Sequence, residues 1–170
     1  MSSLDEAVQD FLAQRRIAVA GVSRSSDAAG NYIYRRFRDA GYEVFAINPN
    51  AETVEGDRCY ATIDEIPGGV DAVMFAAPPA AADGVVRQCA KAGVRRLWMH
   101  RSFGQGSVSD AAVKLCDELG IHVIAGACPM MYLAPVDFGH RCIRWILGVT
   151  GGLPKPHAIS PETQKAATLG

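Results

Sequence analysis

The sequence predicts a doubly wound α/β fold, because short apolar runs alternate with amphipathic segments along most of its 170 residues. The apolar runs are too short for helices and are typical of buried strands in a parallel sheet. They are Ile17–Ala20, Val44–Ile47, Ala72–Ala76, Leu97–Met99 and Val123–Ala125. Five such strands with right-handed crossovers predict a Rossmann-like sheet of order 3-2-1-4-5 with flanking helices.

Helical periodicity fills the gaps between these strands, and the helical segments stop next to Gly41, Gly93 and Gly120. The predicted helices are Leu4–Ala13, Gly30–Ala40, Ala80–Ala92, Ser107–Leu119 and, near the end, Val136–Leu147. The connection after the second strand contains the stretch VEGDRCY, which indicates a small turn or hairpin around Gly56 and Asp57.

Composition places the chain among soluble globular proteins, with 49% apolar and 21% charged residues. We expect one domain over residues 1–150 and a flexible tail over residues 151–170, where glycine, proline and polar residues dominate. A net charge of −1 gives no electrostatic basis for a nucleic-acid or membrane partner. The apolar last helix packs either on its own domain or against a second copy in a homodimer, and the sequence leaves both open.

Five cysteines are spread along the chain without a CxxC pair: Cys59, Cys89, Cys116, Cys128 and Cys142. This pattern predicts neither a metal site nor a redox pair. The amino terminus lacks the basic start and apolar block of a secretory signal. We therefore expect a reducing, cytoplasmic location.

The candidate site follows the carboxyl ends of the strands, where open α/β sheets bind their ligands. Gly21 allows a tight turn after the first strand, and Ser23, Arg24 and Ser25 offer hydroxyls and a cation to a phosphate. The next helix would add its free N–H groups and positive dipole end. The alternative is an ordinary loop and helix cap.

A nicotinamide nucleotide is a less suitable ligand for this site. The second and third glycines of the GxGxxG pattern are missing after Gly21. Asn48, Pro49 and Asn50 stand where NAD enzymes usually carry an acid for the ribose. An NAD(P)-binding Rossmann protein therefore stays an alternative prediction.

Residues after the later strands suggest further contacts. Ala77, Pro78 and Pro79 form a rigid edge suited to an adenine, although Pro79 could simply begin the next helix. His100 and Arg101 follow the fourth strand, where the histidine is either an acid–base group or a structural residue. The arginine suits a phosphate or carboxylate.

A catalytic arrangement can also be drawn from the sequence. Cys128 follows the fifth strand, and Asp137 and His140 begin the last helix. His100 with Cys128 or Asp137 would suit an enzyme acting on an acyl thioester, with a Cys128–His100–Asp137 triad as its fullest form. The alternative is that Cys128 is unreactive, since nothing in the sequence fixes a partner for it.

Four stretches resemble the small stand-alone CoA-binding proteins: GVSRSS, INPN, VEGDRCYATIDEIP and a cysteine–proline pair after the last strand. These proteins are similar to the amino-terminal CoA-binding domain of the succinyl-CoA synthetase alpha subunit. The resemblance spans roughly residues 14–133. It implies a five-stranded Rossmann-like sheet that binds CoA. The synthetase's phosphorylated histidine belongs to a second domain, so ligase chemistry is not implied.

The resemblance also implies roles for individual residues. The phosphates of CoA would meet Val22, Ser23, Arg24 and Ser25. The adenosine would lie along Asn48, Pro49 and Asn50 and against Ala77, Pro78 and Pro79. The pantetheine would run toward His100 and Cys128, and Arg101 is a further candidate for binding the cofactor. We expect binding of CoA or an acyl-CoA as a sensor, carrier or partner module, without catalysis of its own.

The chain departs from the common family pattern around the expected pantetheine end. Ala76 and Ala77 replace an arginine, and His100 replaces a glutamine. Ala127 replaces an arginine before the cysteine–proline pair, and an apolar Met130–Tyr132 stretch replaces a glutamate. Because polar groups are lost and a histidine is gained, either the acyl or pantetheine end of the ligand differs, or CoA binding has been lost.

Overall fold

The computed structural model describes residues 3–102 and 104–154. Five helices and seven strands occur in these ranges. The helices are α1 (Ser3–Leu12), α2 (Ala29–Asp39), α3 (Ala82–Lys91), α4 (Asp110–Glu118) and α5 (Phe138–Thr150). The strands are β1 (Arg16–Ala20), β2 (Glu43–Ile47), β3 (Thr53–Val54), β4 (Asp57–Tyr60), β5 (Ala72–Phe75), β6 (Arg96–Met99) and β7 (His122–Ala125).

These strands form one sheet in the order β3-β4-β2-β1-β5-β6-β7. All neighbours are parallel except β3 and β4, which form an antiparallel hairpin. The predicted Rossmann-like α/β class is confirmed, and so is a hairpin in the VEGDRCY stretch.

The prediction of five strands in the order 3-2-1-4-5 is wrong. The third predicted strand, now β5, does not pair with β2 but with β1, where Ile17 lies opposite Ala72. The place beside β2 is taken by β4, where Ala46 lies opposite Cys59. The hairpin brings β4 parallel to β2, so β4 takes the position beside β2 that the prediction gave to β5.

Each face of the sheet carries its own apolar core. The first core is covered by α1, α2 and the segment around residues 129–133, and the second by α3, α4 and the turn at residues 63–66. The central strands contribute side chains to both cores, and four of the five residues in β1 are buried. This explains why their apolar runs are unbroken. On α2, Gly30, Ile33, Tyr34 and Phe37 are buried at helical spacing.

The last helix divides its apolar residues between two environments. Ile143 and Leu147 pack against the first core. Phe138, Trp145 and Val149 are exposed to 80%, 69% and 69%. The predicted tail over residues 151–170 lies outside the described residues from position 155 onward. Within the described ranges, no helix has the length and apolar character to cross a membrane.

Candidate functional site

The candidate site lies at the carboxyl edge of the sheet, at the point where successive strands begin to be added on the other side of β1. From β1 the chain adds β2 and β4 on one side, and β5, β6 and β7 follow on the other. The loops after β1 and β5 therefore flank a crevice, which is the usual ligand position in this topology. The predicted post-strand residues all belong to loops at this edge.

Two glycines bring the walls of this crevice together. Gly21 has a φ of +106°, and a Cβ at this position would lie 2.5 Å from the carbonyl carbon of Ala76. A Cβ on Gly30 would overlap the carbonyl oxygen of Gly21. Only glycine at both positions lets the start of α2 approach the β1 turn this closely. Gly30 was not among the predicted site residues, because it does not fit the GxGxxG spacing.

The loop over residues 22–26 is held by two asparagine side chains. Asn31, 1% exposed, accepts the Ser23 N–H at 2.8 Å and donates to the Ser23 carbonyl at 2.7 Å. The Asn48 amide donates to the Val22 carbonyl at 2.8 Å and accepts the Asn50 N–H at 2.8 Å. Asn48 thus braces two loops at once. The sequence reading missed Asn31, although an asparagine among the apolar positions of α2 is a usable signal.

The Val22 side chain is fully buried, so only its backbone can serve a ligand at this loop. Arg24 and Ser25 are exposed, and Ser23 is half-buried. The Ser23 hydroxyl accepts the Ser25 N–H at 3.1 Å. The loop therefore presents a shaped backbone, serine hydroxyls and one arginine to solvent.

The β3–β4 hairpin is fastened to α2 beside this loop. Glu55, in the left-handed region at a φ of +52°, accepts from Asn31 and Arg35, each at 2.7 Å. Asp57 accepts from Arg38 at 2.7 Å and from Tyr34 at 2.9 Å. The Arg38 hydrogen bond holds the pKa of Asp57 below its usual value. Burial raises the pKa of Tyr34, which stays a neutral donor.

An open cavity lies on each side of β3. The first, of about 360 Å³, is lined by Ser23, Arg24 and Ser26 of the loop over residues 22–26, by Asn31, and by residues 53–56. The second, of about 730 Å³, is lined by residues 49–53 and by Arg58, Cys59, Ala61 and Glu65. Thr53 belongs to both. Pro49 and Asn50 thus line a cavity next to the loop, whereas Asn48 acts by holding the loop.

The sequence suggests two roles for the proline turn after β5, a rigid edge beside the ligand and the start of the next helix. Ala77 and Pro79 are half-buried and Pro78 is exposed, at the wall that faces Gly21. Pro79 also begins a 3₁₀ turn over residues 79–81 that leads directly into α3. The turn therefore combines a helix start with an apolar edge beside the crevice.

The ends of β6 and β7 bring His100 and Cys128 together through a third residue. His100 Nε2 lies 3.1 Å from the Ser102 hydroxyl, and Ser102 also hydrogen-bonds the Cys128 thiol. Arg101 packs its guanidinium over Gly126, about 3.0 Å from where a Cβ would stand. Ser102 was not among the predicted site residues, because nothing in the sequence distinguishes it from other loop serines.

Burial determines the protonation states of Cys128 and His100. The Cys128 side chain is 4% exposed, and desolvation raises the pKa of its thiol. Desolvation lowers the pKa of His100. Both groups are therefore neutral near pH 7. A neutral buried thiol is a poor nucleophile, which weakens the prediction of a reactive Cys128.

Asp137 has a different task from the one the triad hypothesis gave it. Its carboxylate caps α5 by accepting the His140 N–H at 3.0 Å, and it pairs with His140 Nδ1 at 2.5 Å. These hydrogen bonds hold the pKa of Asp137 below its usual value. His100 instead has Ser102 as its partner. Among the described residues, no group of three His, Cys, Asp or Glu side chains is placed to hold a metal ion.

Comparison with known proteins gives a consistent set of relatives. A conserved hypothetical protein from Pyrococcus furiosus has a solved structure with a TM-score of 0.58 and 30% identity, covering 67% of this chain and 95% of that one. A hypothetical protein from Pyrococcus horikoshii OT3 gives a TM-score of 0.69 at 25% identity, covering 75% and 87%. YneT, an uncharacterized Bacillus subtilis protein, is 28% identical over 114 residues, which are 67% of this chain and 82% of YneT.

Larger relatives match this chain over only a part of their own length. The alpha subunit of the ADP-forming acetate–CoA ligase II of Pyrococcus furiosus is 29% identical over 125 residues, covering 69% of this chain and 27% of the subunit. The chain thus spans about a quarter of that subunit. The CoA binding domain family matches residues 15–134, leaving α1 and α5 outside. This match covers the whole sheet and all its edge loops, and the chain belongs to the CoA binding domain family.

Proposed function

We propose that this chain binds coenzyme A or an acyl-CoA at the carboxyl edge of its sheet, with the phosphates on the loop over residues 22–26. The start of α2 carries the argument. Its cap residue, Ala28, makes no side-chain hydrogen bond to the helix, and its first turn contains no acid. By contrast, α1, α3 and α4 carry Asp5, Asp83 and Asp110 in their first turns.

A bound anion would supply the negative charge that α2 lacks. Helix N-termini stabilise anions through free N–H groups and the dipole. Arg24 adds a cation in the preceding loop, and Asn31 and Asn48 fix the loop before any ligand arrives. Such preorganisation reduces the ordering cost of binding. The adenosine would occupy the cavity lined by Pro49 and Asn50.

Family membership and the ligase relative support CoA as the nucleotide. An NAD(P) ligand is less well supported, since Asn48, Pro49 and Asn50 offer no carboxylate for a ribose diol. The role that we infer is that of a carrier or sensor of CoA or acyl-CoA in a reducing compartment.

Thermal unfolding with CoA, dephospho-CoA, acetyl-CoA, NAD and NADP tests the proposal. A ligand at a hundred times its Kd adds about 2.7 kcal/mol to the free energy of unfolding. For a domain of this size that raises Tm by roughly 5–10 °C. We expect this rise with CoA and acetyl-CoA. A rise with NAD or NADP alone would contradict the proposal, and so would no rise with any ligand.

Arg24→Ala tests the position of the phosphates. Loss of one charge-assisted hydrogen bond, worth about 1.5–3 kcal/mol, should weaken CoA binding roughly 10- to 100-fold. Arg95→Ala is the matched control, because Arg95 precedes β6 at the opposite edge of the sheet. Calorimetric titration should give the control the wild-type Kd. Equal Kd values for both variants would place the phosphates elsewhere.

A further inference from the structure

The side-chain cluster at the ends of β6 and β7 contains a nucleophile–base pair. Ser102 Oγ lies 3.1 Å from His100 Nε2, within the distance at which a histidine can take a hydroxyl proton. Ser102 is half-buried and lies in the loop that follows β6 at the carboxyl edge of the sheet. The pair lies at the same edge of the sheet as the loop over residues 22–26.

Backbone hydrogen bonds fix this pair to the sheet. The His100 N–H donates to the Phe75 carbonyl at 2.8 Å, and the Ser107 N–H donates to the His100 carbonyl at 2.8 Å. The Arg101 N–H donates to the Ala127 carbonyl at 3.1 Å. The segment that carries histidine and serine is therefore tied to the ends of β5 and β7. A catalytic pair needs such a rigid support to keep its geometry.

Cys128 is the third member of the cluster: its buried thiol hydrogen-bonds Ser102, and burial raises the pKa of that thiol. In the tautomer that leaves Nε2 unprotonated, His100 can accept the proton of the Ser102 hydroxyl. Burial lowers the pKa of His100, so its imidazole is neutral and able to accept near pH 7.

We propose that Ser102 is a nucleophile that accepts the acyl group of a bound acyl-CoA, with His100 as its general base and Cys128 as a positioning residue. This inference rests on the proposed function, and it adds the substrate class and a reaction. Arg101, packed over Gly126 in the same corner, supplies a cation for the developing oxyanion.

The step is balanced without a co-reactant. Ser102 Oγ attacks the thioester carbonyl carbon, a C–O bond forms and the C–S bond breaks. The Ser102 proton passes to His100 Nε2 and then to the departing sulfur. The products are an acyl ester on Ser102 and free CoA thiol, with no change of oxidation state. Water can then hydrolyse the ester with the same histidine as base.

Release of free thiol from acetyl-CoA, followed with a thiol reagent, tests the inference together with the intact mass of the full chain. We expect either one equivalent of thiol with an acetyl adduct on Ser102, located by peptide fragmentation, or continued turnover. Ser102→Ala and His100→Gln should each reduce release by about 10²-fold or more. Ser102→Cys replaces the hydroxyl with another nucleophile and should therefore form an adduct, as a thioester. Such an adduct would show that the segment still folds.

The outcomes separate this inference from the proposed function. If acetyl-CoA raises Tm but no thiol release above the Ser102→Ala background occurs, acyl transfer is wrong and binding stands. If acetyl-CoA does not raise Tm, the proposed function itself fails. An adduct that survives Ser102→Ala and disappears in Cys128→Ser would make the cysteine the nucleophile and overturn the assignment.

Discussion

Gly30 allows α2 to lie close to the β1 turn, because it has no Cβ. A Cβ there would overlap backbone atoms of Gly21, which cannot rotate away as a side chain can. We expect Gly30→Ala to lower the free energy of unfolding by about 1–3 kcal/mol, since overpacking forces backbone shifts. Urea denaturation measures this, and CoA affinity should fall with it because the loop over residues 22–26 would move.

Gly84 provides the matched control for Gly30. It lies in the first turn of α3, has no positive φ, and a Cβ on it would meet no atom within 4 Å. Gly84→Ala should stabilise the protein by about 0.4–1 kcal/mol through the unfolded state. If both alanine variants were equally stable, close contact at Gly30 would not be the reason for its glycine.

His100 should make the stability of this protein fall in acid. Burial lowers its pKa below the ordinary value of 6.5, so the unfolded chain binds a proton more readily than the folded one. Stability is therefore full above about pH 6.5 and is lost as pH falls through the lowered value. His100→Gln should flatten the slope of urea midpoints between about pH 7 and about pH 5. An unchanged slope in His100→Gln would contradict this origin of the acid sensitivity.

At the scale of elements, Asn31 joins α2, the loop over residues 22–26 and the β3–β4 hairpin. Its removal leaves the Ser23 backbone and the Glu55 carboxylate without this partner. Asn31→Ala should cost about 1–3 kcal/mol of unfolding free energy. Asn50→Ala, at an exposed asparagine, should change it by less than about 0.5 kcal/mol. Comparable losses in both variants would contradict the bridging role.

The last helix, α5, has one face on the core and one face in solvent. Leu147→Ala should cost about 1–2 kcal/mol because that side chain packs against the first core. Trp145→Ala should change stability by less than about 0.5 kcal/mol, since 69% of Trp145 is exposed. Chemical denaturation of the two variants compares the faces directly. Equal losses would mean that the exposed face is covered in solution.

At the scale of the whole molecule, the sequence leaves two alternatives for α5: it packs on its own domain, or it packs against a second copy of the chain. Part of the helix packs on its own domain through Ile143 and Leu147. The prediction of a homodimer applies to the exposed remainder, namely Trp145 and Ile146 together with Phe138 and Val149. Size-exclusion chromatography with light scattering should give twice the monomer mass if a second copy covers this face. Trp145→Glu should then give the monomer mass, while a monomeric wild-type chain rejects the homodimer.

Local sequence determined which segments are strands, helices and edge loops. Buried parallel strands need continuous apolar runs, and helices need apolar residues at helical spacing, so both appear in short windows. The five predicted strands match β1, β2, β5, β6 and β7 within one or two residues. The loop positions of Ser23, Arg24, His100 and Arg101 followed from strand ends alone.

Tertiary structure decided the strand order and the partners of the site residues. The β4 segment Asp57–Tyr60 begins with two charged residues and has no continuous apolar run, so it has little local signal. Its pairing with β2 accompanies the hydrogen bonds that fasten the hairpin to α2 through Glu55. Asn31 and Glu55 are 24 residues apart, and Ser102 meets Cys128 only because β6 and β7 are neighbours. Residue types and periodicity are local properties, whereas hydrogen-bond partners at a sheet edge depend on which strands lie side by side.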